Sequence, residues 1–509
     1  MTVGQLVGIE RDALAPGLLL HHAMRNVGFF CALLGCVTIA ACSNDGDDPP
    51  PPPPEQTTWY RDVGPIVANK CMTCHQAGGI APFSLTEYED ASIAAGMMLE
   101  AVETGLMPPW DAEESDDCRP TRPWKDDVRL TAAETEILRD WIADGTPAGD
   151  IATLPPIPDT ALQGINMTIR PTTGYSTQGD ADEFICFIMQ PNLDADVKWM
   201  TGMQVRPENP KVVHHVVTMA MQPGPELDAL ITANGVGTGF DCSAGAMMQG
   251  SYLLGVWTPG NQPMQTGDDM SLPLIRGGAV IMQIHYHPAG VVNDPDATSL
   301  DFRLTDTWPT KMWSMLPIGN AFQAPELLAG PADPGGTPVF YIPANAQGHT
   351  EHMRFTVGDL GTSESIPLFA QYPHMHYIGI ELSARIERAN PQNGEPAEEC
   401  LIHTPRWNFD WQRSYQYDTA TIDDLPQVRE GDVLDIFCSY DNTMDNPFVV
   451  RALQDAGLTA PVDVFLGEET LDEMCLAIMG AVVDAPPQPM LRMPTSPALT
   501  LIGSSPPAN

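Results

Sequence analysis

The feature that most constrains this chain is Cys71-Met72-Thr73-Cys74-His75. Two thiols at that spacing can add to the two vinyl groups of a haem while the next imidazole reaches the iron from the same turn, the pattern of c-type haem attachment. A macrocycle held this way needs a small helical housing, and the flanking sequence predicts an all-α module over residues 58–149. Val63, Ile66 and Val67 recur at helical spacing just before the motif. Thr86 with Glu89, and Thr131 with Glu134, read as capping boxes opening two further helices that end near Gly105 and Gly145. That stretch holds no second histidine, so a sixth iron ligand is a methionine or is absent. Met107 is the predicted ligand because Pro108-Pro109 forbid helix and can fix its thioether in a rigid loop; the alternative is that it fills the core. A redox dithiol or half of a zinc site is the competing reading of the two cysteines.

Beyond that module the composition favours strands. Gly (43) and Pro (50) are frequent and charged residues make up only 18% of 509, which suits many short strands and turns. The balance of 66 Asp+Glu against 24 Lys+Arg gives a net charge of −42, a field that repels phosphate and excludes a nucleic-acid partner. Met24-Arg25-Asn26 and the apolar run ending Ile39-Ala40-Ala41-Cys42 read as a bacterial lipoprotein signal within residues 1–42, with translation starting at Met24 and lipid carried on Cys42. An ordinary secretory signal cleaved nearby is the alternative, and either one places the protein outside the cytoplasm. With lipid it is membrane-anchored, in the periplasm or at the cell surface. Residues 43–57 form a linker whose six prolines, Pro49 to Pro54, suit a polyproline II spacer. A second linker spans residues 150–164, and residues 486–509 form a Pro-rich tail.

The remaining chain reads as short β runs, among them Val212 to Met219, Ala279 to Tyr286, Pro367 to Arg385 and Asp432 to Tyr440. Three runs carry clustered histidines: His214-His215, His285-Tyr286-His287 and His374-Met375-His376. Chance predicts only about 0.3 adjacent pairs and about 0.3 His-x-His pairs, so a shared metal explains the clusters better than structural roles. In a strand His374 and His376 project from one face and can grip one ion. Adjacent His214 and His215 point to opposite faces and need a bulge or twist to converge. An imidazole-rich set with a thioether, here Met474, beside a redox-active haem favours copper over zinc.

Val213-His214-His215-Val216, Gln283-Ile284-His285-Tyr286-His287-Pro288, Pro373-His374-Met375-His376-Tyr377-Ile378-Gly379 and Asp472-Glu473-Met474-Cys475, in this order, resemble the copper type II, ascorbate-dependent monooxygenases. This is the family of dopamine β-monooxygenase and peptidylglycine α-hydroxylating monooxygenase, and the resemblance covers roughly residues 165–485. It implies two jelly-roll β-sandwiches, over residues 165–310 and 311–485, each carrying one copper and preceded here by a small all-α cytochrome c domain. It implies an electron-transfer copper on His214, His215 and His285, and an oxygen-binding copper on His374, His376 and Met474. His287 falls outside the scheme, as a neighbour of the ligands or as a structural residue. The implied activity is hydroxylation of a C–H bond of a small organic substrate with dioxygen, with electrons fed from an external donor through haem or from ascorbate. A non-enzymatic copper and haem electron relay is the rival, and a glycan-binding module with structural histidines a more distant one.

The resemblance also pairs Cys186 with Cys242 and Cys438 with Cys475. Cys118 and Cys400 then remain, and could pair with each other or stay as free thiols. Where the peptide-amidating relative holds its substrate carboxylate with an arginine, an asparagine and a tyrosine, this chain has Tyr372, Leu476 and Ile478. The expected cleft therefore suits a less charged substrate than a peptide C-terminus.

Overall fold

The computed structural model describes residues 55–486 except 78, 179–181, 243–249, 268, 288–294, 321–325, 362, 393 and 468–470. The expected signal segment with Cys42, the prolines at 49–54 and nearly all of the Pro-rich tail lie outside the described residues. Among the described residues no helix is long and apolar enough to cross a membrane.

Three α-helices come first: α1 (Gly64–Lys70), α2 (Tyr88–Glu103) and α3 (Ala132–Ala143). They share a core of their own, in which Trp59 and Trp141 are fully buried with Val67, Ala91 and Leu138. The capping box at α3 forms as expected, with Thr131 Oγ1 accepting from the Glu134 amide and Glu134 Oε2 from the Thr131 amide. The one expected at Thr86 and Glu89 does not. Helix α2 starts a residue later, behind Glu87, because the Ser84 hydroxyl engages both the amide and the hydroxyl of Thr86.

The loop between α2 and α3 leaves this helical core. Trp110, Ala112 and Trp124 belong instead to the large core of the β part. Trp124 stacks on Tyr417 with centroids 4.8 Å apart, the Lys125 amide donates to Gln416 O, and Cys118 is bonded to Cys400.

The rest of the chain is mainly β, and every pairing between its named strands is antiparallel. Four larger sheets account for most of it. One runs Gly239–Asp241, Glu183–Met189, Ala279–Tyr286, Val213–Met221, Ser251–Trp257. Its middle strand, Ala279–Tyr286, is buried at every residue, as a strand covered on both faces must be. A second groups Met167–Ile169, Ser299–Thr305 and Val197–Arg206 with two short strands. In the C-terminal half, Lys311–Asn320, Cys475–Asp484 and Ile366–His374 form the body of one sheet. Gln347–Thr356, Val433–Asp441, Gly379–Glu387 and Glu398–Thr404 form the other. Strand Gln347–Thr356 alternates buried and half-buried positions, the period-2 signature of a sheet with one face on the core.

Two further disulfides pin this part, Cys186–Cys242 and Cys438–Cys475. The run expected over Pro367 to Arg385 is two strands, Ile366–His374 and Gly379–Glu387, with a turn between them. His376 therefore lies beyond a strand end, which corrects the picture of His374 and His376 as strand neighbours at i and i+2.

Candidate metal centres

Strand Val213–Met221 pairs with Ala279–Tyr286 in a register that slips between Val213 and His215, so that Val213 faces Tyr286 while His215 faces His285. His214 is the extra residue of this bulge. The bulge re-aims it so that two adjacent side chains serve one side of the sheet. His214, His215 and His285 then converge, with their Nδ1 atoms 3.2, 3.3 and 3.3 Å apart.

Three such atoms cannot satisfy one another, since a neutral ring nitrogen either donates or accepts in its plane and a closed triangle would require both. The point equidistant from them lies about 1.9 Å from each, close to a metal–imidazole bond of about 2.0 Å. A cation at that point resolves the conflict. Burial pushes His285 down to about 4, against the opposing pull of Asp182, and drives His215 well below its ordinary range. Both rings are therefore neutral at pH 7, with lone pairs free to ligate.

Carboxylates sit behind two of the rings. His285 Nε2 is 3.1 Å from Asp182 Oδ2, and His214 Nε2 is 3.7 Å from Asp410 Oδ1. A carboxylate at Nε2 favours the proton there and leaves Nδ1 as the ligating atom. Asp182 also contacts His287 Nδ1 at 2.5 Å and accepts from the Tyr377 hydroxyl at 3.2 Å. His287 thus shares the carboxylate that backs His285. Burial alone would raise Asp182, but its two histidine contacts hold it far below the usual carboxylate range. Asp410 is lowered in the same way by His214 and Arg451.

The second pair is built with the opposite tautomer. His374 Nδ1 donates to Gln412 Oε1 at 2.7 Å, and His376 Nδ1 donates to the Asp472 carbonyl at 2.9 Å. Gln412 is oriented by its own Nε2, which donates to Phe409 O. Both histidines are thus held through Nδ1, and their rings lie 5.2 Å apart at 78°. Burial and the neighbouring His376 push His374 down to about 3.

His374 pairs with Leu476 across the sheet, two residues after Met474 in the chain. Glu473, fully buried, joins His376 to Met474, since its Oε1 accepts from the amides of both. Tyr372, Leu476 and Ile478, expected to line a cleft, are all packed in the core.

The segment Asn408–Arg413 spans both groups. Phe409 stacks on His214 with centroids 5.0 Å apart and on Tyr377 at 4.0 Å. Asp410 faces His214, Gln412 holds His374, and the Gln412 carbonyl accepts from Thr258 at the end of the strand Ser251–Trp257.

No protein-family model matches the chain, and no curated protein matches it. Similar solved structures include a peptide-N(4)-(N-acetyl-β-D-glucosaminyl) asparagine amidase, at 12% identity over 58% of this chain and 99% of that chain, with a TM-score of 0.17. They also include the infectious bursal virus derived T=1 particle, at 10% identity over 65% of this chain and 81% of that chain, with a TM-score of 0.09. Likeness at these TM-scores carries no argument about fold or activity.

A further candidate site lies at the Cys71 motif. Cys71, Cys74 and His75 border a cavity of about 1050 Å³ whose wall includes Ile80, Met98 and Met107. That volume is at the upper end of the roughly 300–1,000 Å³ usual for cofactor sites, and the wall suits a flat apolar macrocycle. His75 Nδ1 donates to Phe83 O at 3.1 Å, which leaves Nε2 for iron. The two thiols are not bonded to each other, and burial pushes Cys71 up to about 12, the reverse of what a reactive dithiol requires. Among the described residues, the only group of three or more His, Cys, Asp or Glu with converging ligand atoms is the His214 trio.

Sequence reasoning missed Asp182, Asp410, Gln412 and the bridging role of Glu473. None of these sits in a spacing that signals a metal. An acidic or amide residue announces such a role only once the fold sets it behind a ring.

Proposed function

We propose that this chain is an exported copper-dependent monooxygenase that hydroxylates a C–H bond of a small organic substrate with dioxygen, drawing electrons through a covalently attached c-type haem. The observation that carries the reading is the convergence of the Nδ1 atoms of His214, His215 and His285 on one point beside a second histidine pair whose own Nδ1 atoms are held by Gln412 and the Asp472 carbonyl. On this reading His214, His215 and His285 hold one copper, and His374, His376 and Met474 the other. On the same reading the two β parts are jelly-roll sandwiches, and the helices form a cytochrome c domain in which Cys71, Cys74, His75 and Met107 would hold the haem. The three disulfides fit an oxidising compartment, in keeping with export and a lipid anchor on Cys42.

Copper and haem would supply the one-electron and dioxygen chemistry that side chains lack. The overall change takes R–H, dioxygen, two electrons and two protons to R–OH and water. The protein's part is to hold and orient. Asp182 and Asp410 fix one histidine tautomer, Gln412 and the Asp472 carbonyl fix the other, and Glu473 ties the His376 turn to Met474. The electrons come from an external donor, with ascorbate as the candidate small reductant.

The test is metal and haem quantitation on the full chain, followed by product analysis under dioxygen with ascorbate and a panel of amines, phenols and alkyl aromatics. Two coppers per haem and oxygen uptake coupled to a hydroxylated product are expected. Two coppers with no product from any candidate would leave an electron relay, and no stoichiometric copper would end the proposal.

A further inference from the structure

The cavity at Cys71 and Cys74 is not closed by the helices alone. Trp411 and Arg413, which come from the β part, form a stretch of its wall. Arg413 is only 5% exposed, and among the described residues no carboxylate lies within ion-pair distance of it. Its Nη1 donates to the Pro109 carbonyl at 3.0 Å and its guanidinium lies 5.2 Å from the Trp110 ring centroid, while Nε has no hydrogen-bond partner. A buried guanidinium held only by a carbonyl and a ring face is unfavourable unless an anion joins it.

Arg413 lines the same cavity as Cys71, Cys74 and His75, which sets the guanidinium on a wall shared with the haem-attachment motif. Of the two carboxyls near enough to act on it, Asp111 is pushed up to about 7 by burial and is a poor counter-ion, and Asp127 is already paired with Arg129. The other cations on the wall are already engaged or in water. Lys70 donates to the Asp127 carbonyl at 2.9 Å, and Lys125 is exposed.

We propose that Arg413 receives a carboxylate of the haem, so that the β part rather than the helices binds the anionic edge of the macrocycle. The proposal rests on the haem reading above and adds to it. The next residue, Gln412, holds His374, so one short segment fixes both the haem edge and a ring proposed to ligate copper.

The test uses the full chain matured with haem and stripped of copper. A cation at the porphyrin edge favours ferrous iron. Arg413→Gln should therefore keep its covalent haem and move the reduction equilibrium at least tenfold toward ferric, a midpoint lower by about 59 mV for one electron. Arg413→Lys should recover most of that shift. A wild-type midpoint in Arg413→Gln overturns the assignment.

A second measurement does not depend on that variant folding. The full chain carrying Cys71→Ser and Cys74→Ser is titrated with ferric protoporphyrin and with its dimethyl ester. The free acid should bind at least tenfold more tightly. Equal affinities overturn the role of Arg413, whereas binding of neither overturns the haem reading beneath it.

Discussion

At the scale of single residues, the histidines and Met474 stand out in the sequence as candidate ligands because metal-ligating side chains are rare and the histidines cluster. The residues that aim them do not. Asp182 lies far in sequence from both His214 and His285, yet it alone backs His285 and His287 together. Asp182→Asn removes the charge while keeping the shape. It should weaken copper at one of the two sites by roughly 10–100-fold, the usual effect of losing the partner behind a ligand. Titration against a chelator of known affinity would read this, and two unchanged affinities would show that Asp182 does not orient the ring. Met474→Leu keeps the apolar volume but loses the thioether. Hydroxylation should disappear while chemical reduction of the haem proceeds as in the parent, and product formed at the parent rate would remove Met474 from the site.

At the scale of elements, strands such as Ala279–Tyr286 were readable from continuous apolar runs, and α3 from its capping box. The loop from Trp110 to Trp124 was not. Lying between two helices, it read as part of their module, but its tryptophans pack against Tyr415 and Tyr417 of the β part. The bond between Cys118 and Cys400 closes a loop with a sequence separation of 282, so it strongly restrains the unfolded chain. Replacing both cysteines with serine should lower unfolding stability by about 2–5 kcal/mol, measured by urea denaturation.

Asp111 belongs to the same loop and offers a pH test. Burial raises its carboxyl to about 7, so the folded state binds a proton that the unfolded state releases near pH 4. Its contribution is fully present below about pH 4 and is lost as the pH rises through 7. Asp111→Asn should therefore flatten the fall in the urea midpoint between these limits. An unchanged slope would show that Asp111 does not titrate across that window.

At the scale of the whole molecule, metal is expected to act as part of the fold. An ion that binds only the folded chain stabilises it by mass action, about 2.7 kcal/mol at a free concentration one hundred times the dissociation constant. Copper loading should raise the thermal midpoint of the β part, and a chelator should return it to the metal-free value; a midpoint indifferent to copper would mean that no site forms in the native state. The sequence by itself determined which residues stand out as candidate ligands, because those residue types and their local spacings are written along the chain. It also determined the broad class, because strand and turn preferences act over a few neighbours. Only tertiary structure decided that a bulge brings His214 and His215 to His285, that His376 lies in a turn tied to Glu473, and that Asn408–Arg413 borders two histidine groups and the cavity at Cys71 and Cys74. Those outcomes depend on strand register and on packing between distant segments, and local sequence does not encode which distant partner a buried polar group will meet.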